Sequence, residues 1–304
     1  MELSIIIVTY NSENDIKKCI DSIIEKTSSL EYEIVVVDNS SKDNTRKVVK
    51  SIMNKYSNIS LIKAENKGFN AGNNIGIKNS TGKFIALLNP DTILMNNAFK
   101  IIIDNMKKYN NVGACGATLY SEDENLTMSH GVFPSIKETI LRSFRLRNYK
   151  TYYLANINSE VMEVDYPSGA DFVFKRELID KVGLMDEEYF IYFDETDYAL
   201  RFKKAGLKQY LFTEAKIIHA QGNSTGNVSE FAQEQFFKSY VRYLNKNLNL
   251  IERHLVISIK ILEHKTKFII FRLLKRNKEL IENHKREIKF YSKCLSSLKY
   301  QVEE

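Results

Sequence analysis

The sequence predicts a doubly wound α/β fold with a mostly parallel sheet and a C-terminal helical extension, and three observations carry that expectation. Short β-rich runs alternate with amphipathic helical patterns through the first half of the chain. The first run, SIIIVT (residues 4–9), has an unbroken apolar interior, as befits a strand buried on both faces of a parallel sheet. From about residue 229 onward every pattern is helical.

Taken in order, NDIKKCIDSIIEKT sets Ile16, Cys19, Ile20, Ile23 and Ile24 at helical spacing. EIVVVD (33–38) is a second strand, and NSSKDNT leads into another amphipathic helix. ISLIKA (59–64) and KFIALL (83–88) add two more strands, so β-α-β units with right-handed crossovers follow. After about residue 119 the alternation weakens, and 120–160 reads as loops and short helices carrying the basic-aromatic run LRSFRLRNYKTYYL. Strands resume at VMEVDYP and ADFVF, a helix runs from about 194 to 206, and AKIIHA supplies a late strand. The chain thus divides into an α/β region, 1–228, and a helical region, 229–304.

The 304 residues, 43% hydrophobic and 27% charged, suit a soluble protein with a sizeable core. Cys19, Cys115 and Cys294 are odd in number and lie in no metal-binding spacing, so they read as free core thiols in a reducing compartment. The start, MELSIIIVTYN, has only a five-residue apolar run after an acid and is unlike a secretory signal, which points to a cytoplasmic protein. No window is long and apolar enough to span a bilayer. The net charge of +6 is uneven: residues 1–251 hold 31 Lys+Arg and 31 Asp+Glu, whereas 252–304 hold 13 and 7. A basic tail suits an anionic membrane or acidic partner, while the balanced body gives no case for nucleic acid.

In doubly wound sheets ligands bind beyond the carboxyl ends of the strands, and the unusual residues cluster there. Thr9-Tyr10-Asn11 follows the first strand, and Asp38 closes the second, where its carboxylate can accept from a pyrimidine imide or a ribose hydroxyl, or simply serve a turn. NKGFNAGNN (66–74) combines glycines that permit close backbone approach with asparagines that can bond a phosphate or sugar, but it lacks the dinucleotide G-x-G-x-x-G spacing. In LLNPDT, Pro90 stiffens the turn and Asp91 enters the loop zone, where a divalent metal could meet a diphosphate; a plain turn is the other reading. His219 also ends an apolar strand, and a lone histidine there can be purely structural.

YFIYFDETDYALRF (189–202) crowds Asp194, Glu195 and Asp197 into four positions. On a helix starting near 194, Asp194 and Asp197 share a face suited to the helix N-terminus and to substrate, whereas Glu195 is turned about 100° away. Aromatic neighbours would lower local polarity and bring the Glu195 pKa toward a working range. A solvated acidic face is the alternative.

Together these pieces resemble the family-2 glycosyltransferases of GT-A fold, in particular the bacterial rhamnosyltransferase-like branch that builds O-antigens and capsules. SIIIVTYN, VVVDNSSKDNT, NKGFNAGNNIGI, ALLNPDT, SGADFVFKRELIDKVGLMDEEYFIYFDETDYALRFKKAG and IIHAQGNSTG occur in family order between residue 4 and about 226. The resemblance implies an inverting, hexosyltransferase-type enzyme moving a sugar from a UDP- or dTDP-sugar (rhamnose, galactose, glucose or similar) to a saccharide or lipid-linked saccharide. It places Thr9, Asn11 and Asp38 near the nucleoside, with Asn66, Gly68 and Asn73 lining the donor pocket. The D-x-D metal motif falls on Asn89-Pro90-Asp91, so Asp91, with His219 as a second ligand, would hold Mg²⁺ or Mn²⁺. Gly169, Ala170 and Asp197 fall at the sugar or acceptor pocket. The family's base lies in an acidic pair, often Glu-Asp; here the order is Asp194-Glu195, and position in the motif favours Glu195.

The tail from 252, RHLVISIKILEHKTKFIIFRLLKRNKEL in its central part, interleaves apolar clusters with Lys and Arg. It can lie on the inner face of the plasma membrane, or pack on its own domain or a second subunit in a homodimer. Two other function classes compete. One is a non-catalytic nucleotide-sugar or glycan binder on a degenerate fold, which the retained acids and His219 oppose; the other is a sugar-nucleotide pyrophosphorylase, whose Gly-rich loop is absent from TYNSEND.

Overall fold

A computed structural model describes residues 1–146, 148, 152–220, 230–275 and 277–299. The expected α/β fold is present. Its centre is β1 (Leu3–Thr9), buried along its whole length, which runs parallel to β2 (Tyr32–Asp38) on one side and β4 (Phe84–Leu88) on the other. β3 (Ile59–Lys63) adds outside β2, again parallel. Beyond β4 the sheet changes sense. β10 (Asp171–Lys175) is antiparallel to both β4 and β6 (Val112–Tyr120), and β11 (Lys208–His219) then runs parallel to β6. The short β5 (Thr92–Leu94) and β8 (Val161–Val164) each pair antiparallel with β11, and β7 (His130–Gly131) with β9 (Tyr166–Pro167) forms a separate two-stranded sheet.

The crossovers follow the expected apolar stripes. α1 (Ile16–Lys26) buries Ile16, Cys19, Ile20 and Ile23, α2 (Thr45–Met53) buries Val49 and Ile52, and α4 (Ala98–Met106) buries Phe99, Ile102, Ile103 and Met106. These join Ile5, Ile7, Ile34, Val36, Ala86, Leu88, Val173 and Phe212 in one core. At about 25 cal/mol per Å² of apolar area removed from water, this core is the main source of stability. α3 (Phe69–Lys78) sits closer to the sheet than an ordinary helix could. A Cβ on Gly72 would lie 2.7 Å from Val8 Cγ1, and one on Gly76 would lie 2.3 Å from Ile6 Cγ2. All three cysteines are free and buried.

The chain forms two compact units, Met1–Val132 with Tyr153–Gln235, and Phe133–Tyr152 with Phe236–Glu304. The division therefore falls at 235/236 in place of the expected 228/229, and the helical unit also recruits residues 133–152. That recruitment has a local cause: α5 (Ile136–Ser143), capped by Ser135 Oγ accepting from Glu138 N, packs on the later helix Leu250–Leu273, with Ser143 Oγ donating to Glu263 at 2.7 Å. Only part of the basic-aromatic run lies within the described residues. The rest of this unit is the later part of the helix Glu230–Asn247, from Phe236 onward, and a hairpin of Leu250–Leu273 and Lys278–Lys299, the first helix of the hairpin started by an Asn249/Glu252 capping box. Glu263 also accepts from Lys260 and Lys267, and His264 and His284 face each other across the hairpin with Nδ1 atoms 3.0 Å apart. Among the described residues, no helix is long and apolar enough to cross a membrane.

Candidate active site

Parallel register lines up the polar strand ends. Thr9 lies opposite Asp38, and Asp38 opposite Lys63. Thr9 Oγ1 and Asp38 Oδ1 are buried and have no hydrogen-bond partner among the described residues; Asp38 Oδ2 accepts from Ser41 N at 3.2 Å and faces Arg46 Nε at 3.5 Å. Asn73 on α3 is fully buried with both its polar side-chain atoms unpartnered, and Asn39 and Asn70 each keep an unpartnered Oδ1. Each unmet buried polar group costs about 1–3 kcal/mol, and a polar ligand at these strand ends would complete the bonding.

Asn11 and Asn66 shape the rim of this row. Asn11, at φ 54°, accepts from Lys42 N at 2.8 Å, and Asn66 Oδ1 accepts from Gly68 N at 3.3 Å. Gly68, expected to line the donor pocket, also has a packing role. At φ 106°, it leaves room for protein backbone: a Cβ there would lie 2.6 Å from Phe190 O, the same oxygen that accepts from Phe69 N at 2.7 Å. Gly72 and Gly76 likewise accommodate β1, so the glycines of NKGFNAGNN fit the protein itself while its asparagines retain bonding capacity.

On the other side of β1, β4 ends in Asn89-Pro90-Asp91. Asn89 O accepts from Thr92 Oγ1 at 2.7 Å, and Asn89 N donates to Ala170 O at 3.0 Å, which fixes the turn. The end of β11 brings His219 to it, with Nε2 3.4 Å from Asp91 Oδ1 and 3.4 Å from Asn89 Nδ2. A carboxylate, an imidazole and an amide gathered in this way fit a divalent cation such as Mg²⁺ or Mn²⁺. Among the described residues no group of three His, Cys, Asp or Glu could hold a metal, so such a cation would draw its remaining ligands from substrate and water. Residues 221–226 of the IIHAQGNSTG motif lie outside the described residues.

The acidic helix, Asp194–Lys204, approaches from the side of β10. Glu195 lies over Gly169, where an added Cβ would be 3.5 Å from Glu195 Cδ and Oε2; Ala170, next in sequence, holds Asn89. Through Gly169-Ala170 the acid and the Asn-Pro-Asp turn share one small region. Burial of its carboxyl group and the adjacent Asp194 charge hold Glu195 well above the usual carboxylate range, and burial raises Asp194 despite backbone amides donating to it. Two carboxyl groups sharing a site resist ionising together, and they titrate as a pair.

Asp197 departs from its expected place in the acceptor pocket. It is 1% exposed and turned inward, where its Oδ2 accepts from Arg201 Nε at 3.1 Å and Tyr189 OH reaches Oδ1 at 3.4 Å. Arg201 in turn donates to Val182 O and Leu184 O, so Asp197 belongs to a scaffold that fixes the helix. The helix N-cap is Phe193 and no side chain caps it. Tyr192 and Phe193 are consecutively left-handed, at φ 68° and 61°, a strain of about 1–3 kcal/mol per residue that aims the next two residues. Sequence reasoning also passed over Asn39 and Asp171, and reached Asn70 only as one of the asparagines of NKGFNAGNN. Asp171 is fully buried, accepts from Ala117 N, and has its carboxyl pushed well above the usual range by burial.

The model of the family described as Glycosyl transferase family 2 matches residues 4–183, more than half of the chain. The chain belongs to glycosyl transferase family 2. This family-2 chain is 26% identical over 149 residues to the N-acetylglucosaminyl-diphospho-decaprenol L-rhamnosyltransferase of Mycobacterium tuberculosis, in strains CDC 1551 / Oshkosh and ATCC 25618 / H37Rv. The match covers 47% of this chain and 48% of the relative, so it spans about half the length of the curated proteins. Among solved structures, GalNAc-T7 with UDP, GalNAc and Mn²⁺ superposes with a TM-score of 0.60 at 17% identity, covering 81% of this chain and 48% of that one. S. aureus TarS 1-349 superposes at 0.52 and 14% identity over 100% of this chain and 92% of that one, and TarS with UDP likewise at 0.52 and 15%. At these identities they show the shared α/β fold.

Proposed function

We propose that this family-2 protein transfers one sugar, with inversion, from a UDP- or dTDP-sugar to a hydroxyl of a saccharide or lipid-linked saccharide in cell-surface polysaccharide synthesis. The observation that carries the reading is the junction at Gly169-Ala170, where Glu195 lies over the first residue and the second bonds the turn that presents Asp91 to His219, together with the unmet polar atoms of Thr9, Asp38 and Asn73. The curated relative's name as a rhamnosyltransferase of a diphospho-decaprenol substrate supports a 6-deoxyhexose donor and a lipid-linked acceptor; the UDP and Mn²⁺ in the GalNAc-T7 structure support a pyrimidine nucleotide and a divalent cation.

The chemistry follows from the groups present. Asp38 Oδ1 and Thr9 Oγ1 bind the nucleoside, and Asn73 reaches the donor through its free amide. Asp91 and His219 would hold Mg²⁺ or Mn²⁺, which when bound neutralises charge on the leaving diphosphate. Glu195, as carboxylate, takes the proton of the acceptor hydroxyl while that oxygen bonds to the anomeric carbon. The bond from that carbon to the diphosphate oxygen breaks with its electron pair, and configuration inverts. Such a base contributes about 10²–10⁴-fold in rate.

A thermal-shift panel of UDP-, dTDP- and GDP-sugars with and without Mn²⁺ tests the reading. Stabilisation by one pyrimidine nucleotide sugar, larger with metal and lost in Asp91→Asn, is the expected result. Equal response to all nucleotides, or to none, would sink it.

A further inference from the structure

The hairpin in the C-terminal unit contains a helix that is apolar on two opposite faces. On Leu250–Leu273, the packed residues include Val256 and Ile257, both buried, and His264, which meets His284. At 100° per residue, Ile251, Leu255, Leu262, Ile269 and Leu273 fall within about 40° of one another, on the side opposite that packed face. They are 72%, 46%, 60%, 56% and 76% exposed. The neighbouring helix, Lys278–Lys299, has no such second stripe: its outward positions are mainly Lys, Arg, Glu and Ser, with Leu280 its one exposed large apolar side chain among the described residues.

Water does not favour five aligned aliphatic side chains, so something covers them. The charges beside the stripe decide what. Lys265 and Arg272 flank one edge and Lys275 follows its end; all three are exposed and have no ion-pair partner among the described residues. Thr266 and Ile259 lie along the other edge, and the nearest acid, Glu252, is about 80° from the centre of the stripe. Glu263 lies about 100° away, already bonded to Lys260, Lys267 and Ser143. A second copy of the helix would fit this pattern poorly. Antiparallel, it would set Lys265 and Arg272 against the mate's own basic edge; parallel, it would set Lys265 against the mate's Ile270, with no acid to pair.

We infer that the stripe Ile251, Leu255, Leu262, Ile269 and Leu273 is a docking surface for an anionic phospholipid bilayer. The helix lies in the interface plane, its aliphatic side chains in the acyl boundary and Lys265, Arg272 and Lys275 among the phosphates. None of these residues belongs to the proposed transfer site, so the inference stands or falls apart from that reading.

Flotation of the full chain with phosphatidylglycerol/phosphatidylcholine vesicles, and with phosphatidylcholine vesicles alone, tests it. Binding to the anionic vesicles only is expected, falling as salt rises, with a roughly tenfold lower bound fraction for L262E/I269E and several-fold for K265E/R272E. Far-UV melting curves confirm that each variant is folded. Sedimentation at micromolar protein supplies the opposing outcome. No vesicle binding by the wild-type chain, or a dimer that L262E/I269E dissociates while vesicle binding is unchanged, overturns the proposal.

Discussion

The α/β unit and the helical unit break the usual distribution of polar and apolar groups in opposite directions. In the first, Thr9, Asp38, Asn39, Asn70 and Asn73 carry buried polar atoms with no partner among the described residues. In the second, Glu263 is triply bonded, yet Ile251, Leu262 and Leu273 stand in solvent. Folding alone would select against both patterns, since an unmet polar group and an exposed aliphatic stripe each cost free energy. Under the two proposals each is resolved by a ligand of matching character: a polar small molecule for the strand ends, an apolar surface for the helix.

The sharpest way to break the comparison is at Glu195. Glu195→Gln should lower turnover by about 10²–10⁴-fold while donor affinity measured by calorimetry stays within about twofold. Because its folded pKa is raised, ionising Glu195 destabilises the protein: stability is fully present below the unfolded value of about 4.3 and is lost as pH rises through the folded one. Glu195→Gln should therefore melt higher than wild type at neutral pH, a signature that loss of a purely structural carboxylate would not give. The same shift puts the acid limb of the kcat/KM profile above the ordinary carboxylate range. Asp194→Asn removes a neighbouring negative charge and should move that limb to lower pH.

Asp197 should behave in the opposite way. Asp197→Ala strands Arg201 in a mostly buried position, and urea denaturation should show a loss of roughly 3 kcal/mol, the low end for a broken buried pair because Arg201 retains some solvent. Unchanged stability would return Asp197 to the acceptor pocket. A smaller effect is expected at Asn73→Ala: nucleotide binding weakened about tenfold, one or two hydrogen bonds' worth, with little change in the melting of the ligand-free protein. Smallest of all, Leu262→Gln should change stability in solution by less than about 0.5 kcal/mol, in contrast to a packed core position such as Phe99→Ala, which should cost about 3–5 kcal/mol.

Much of this arrangement was legible in the sequence where it depends on local pattern. The apolar run through Ile5 and Ile7 and the acid closing EIVVVD located the sheet and the polar ends of its strands, and Asp91 and His219, 128 positions apart, met because both lie at strand ends. Two packing features had local signals. Asp197 and Arg201 are four residues apart, the spacing of a helical ion pair, and Gly72 and Gly76 repeat at the same interval, which marks a close-packed helix face. Other features had no local signal. The capture of α5 by a helix more than 100 residues later, and the crossing of Gly68 beneath Phe190, arise from long-range packing that periodicity cannot encode.

That crossing has a kinetic consequence. Phe69 N donates to Phe190 O, and Asn39 Nδ2 to Gly68 O, so the entry to α3, the end of β2 and the approach to the acidic helix are tied by direct bonds. Deuterium uptake at the amides of residues 68–72 should therefore rise and fall together with uptake at 189–198, as one opening unit rather than two. A nucleotide that quiets the first segment would, by the same ties, slow exchange around Glu195 before any acceptor arrives.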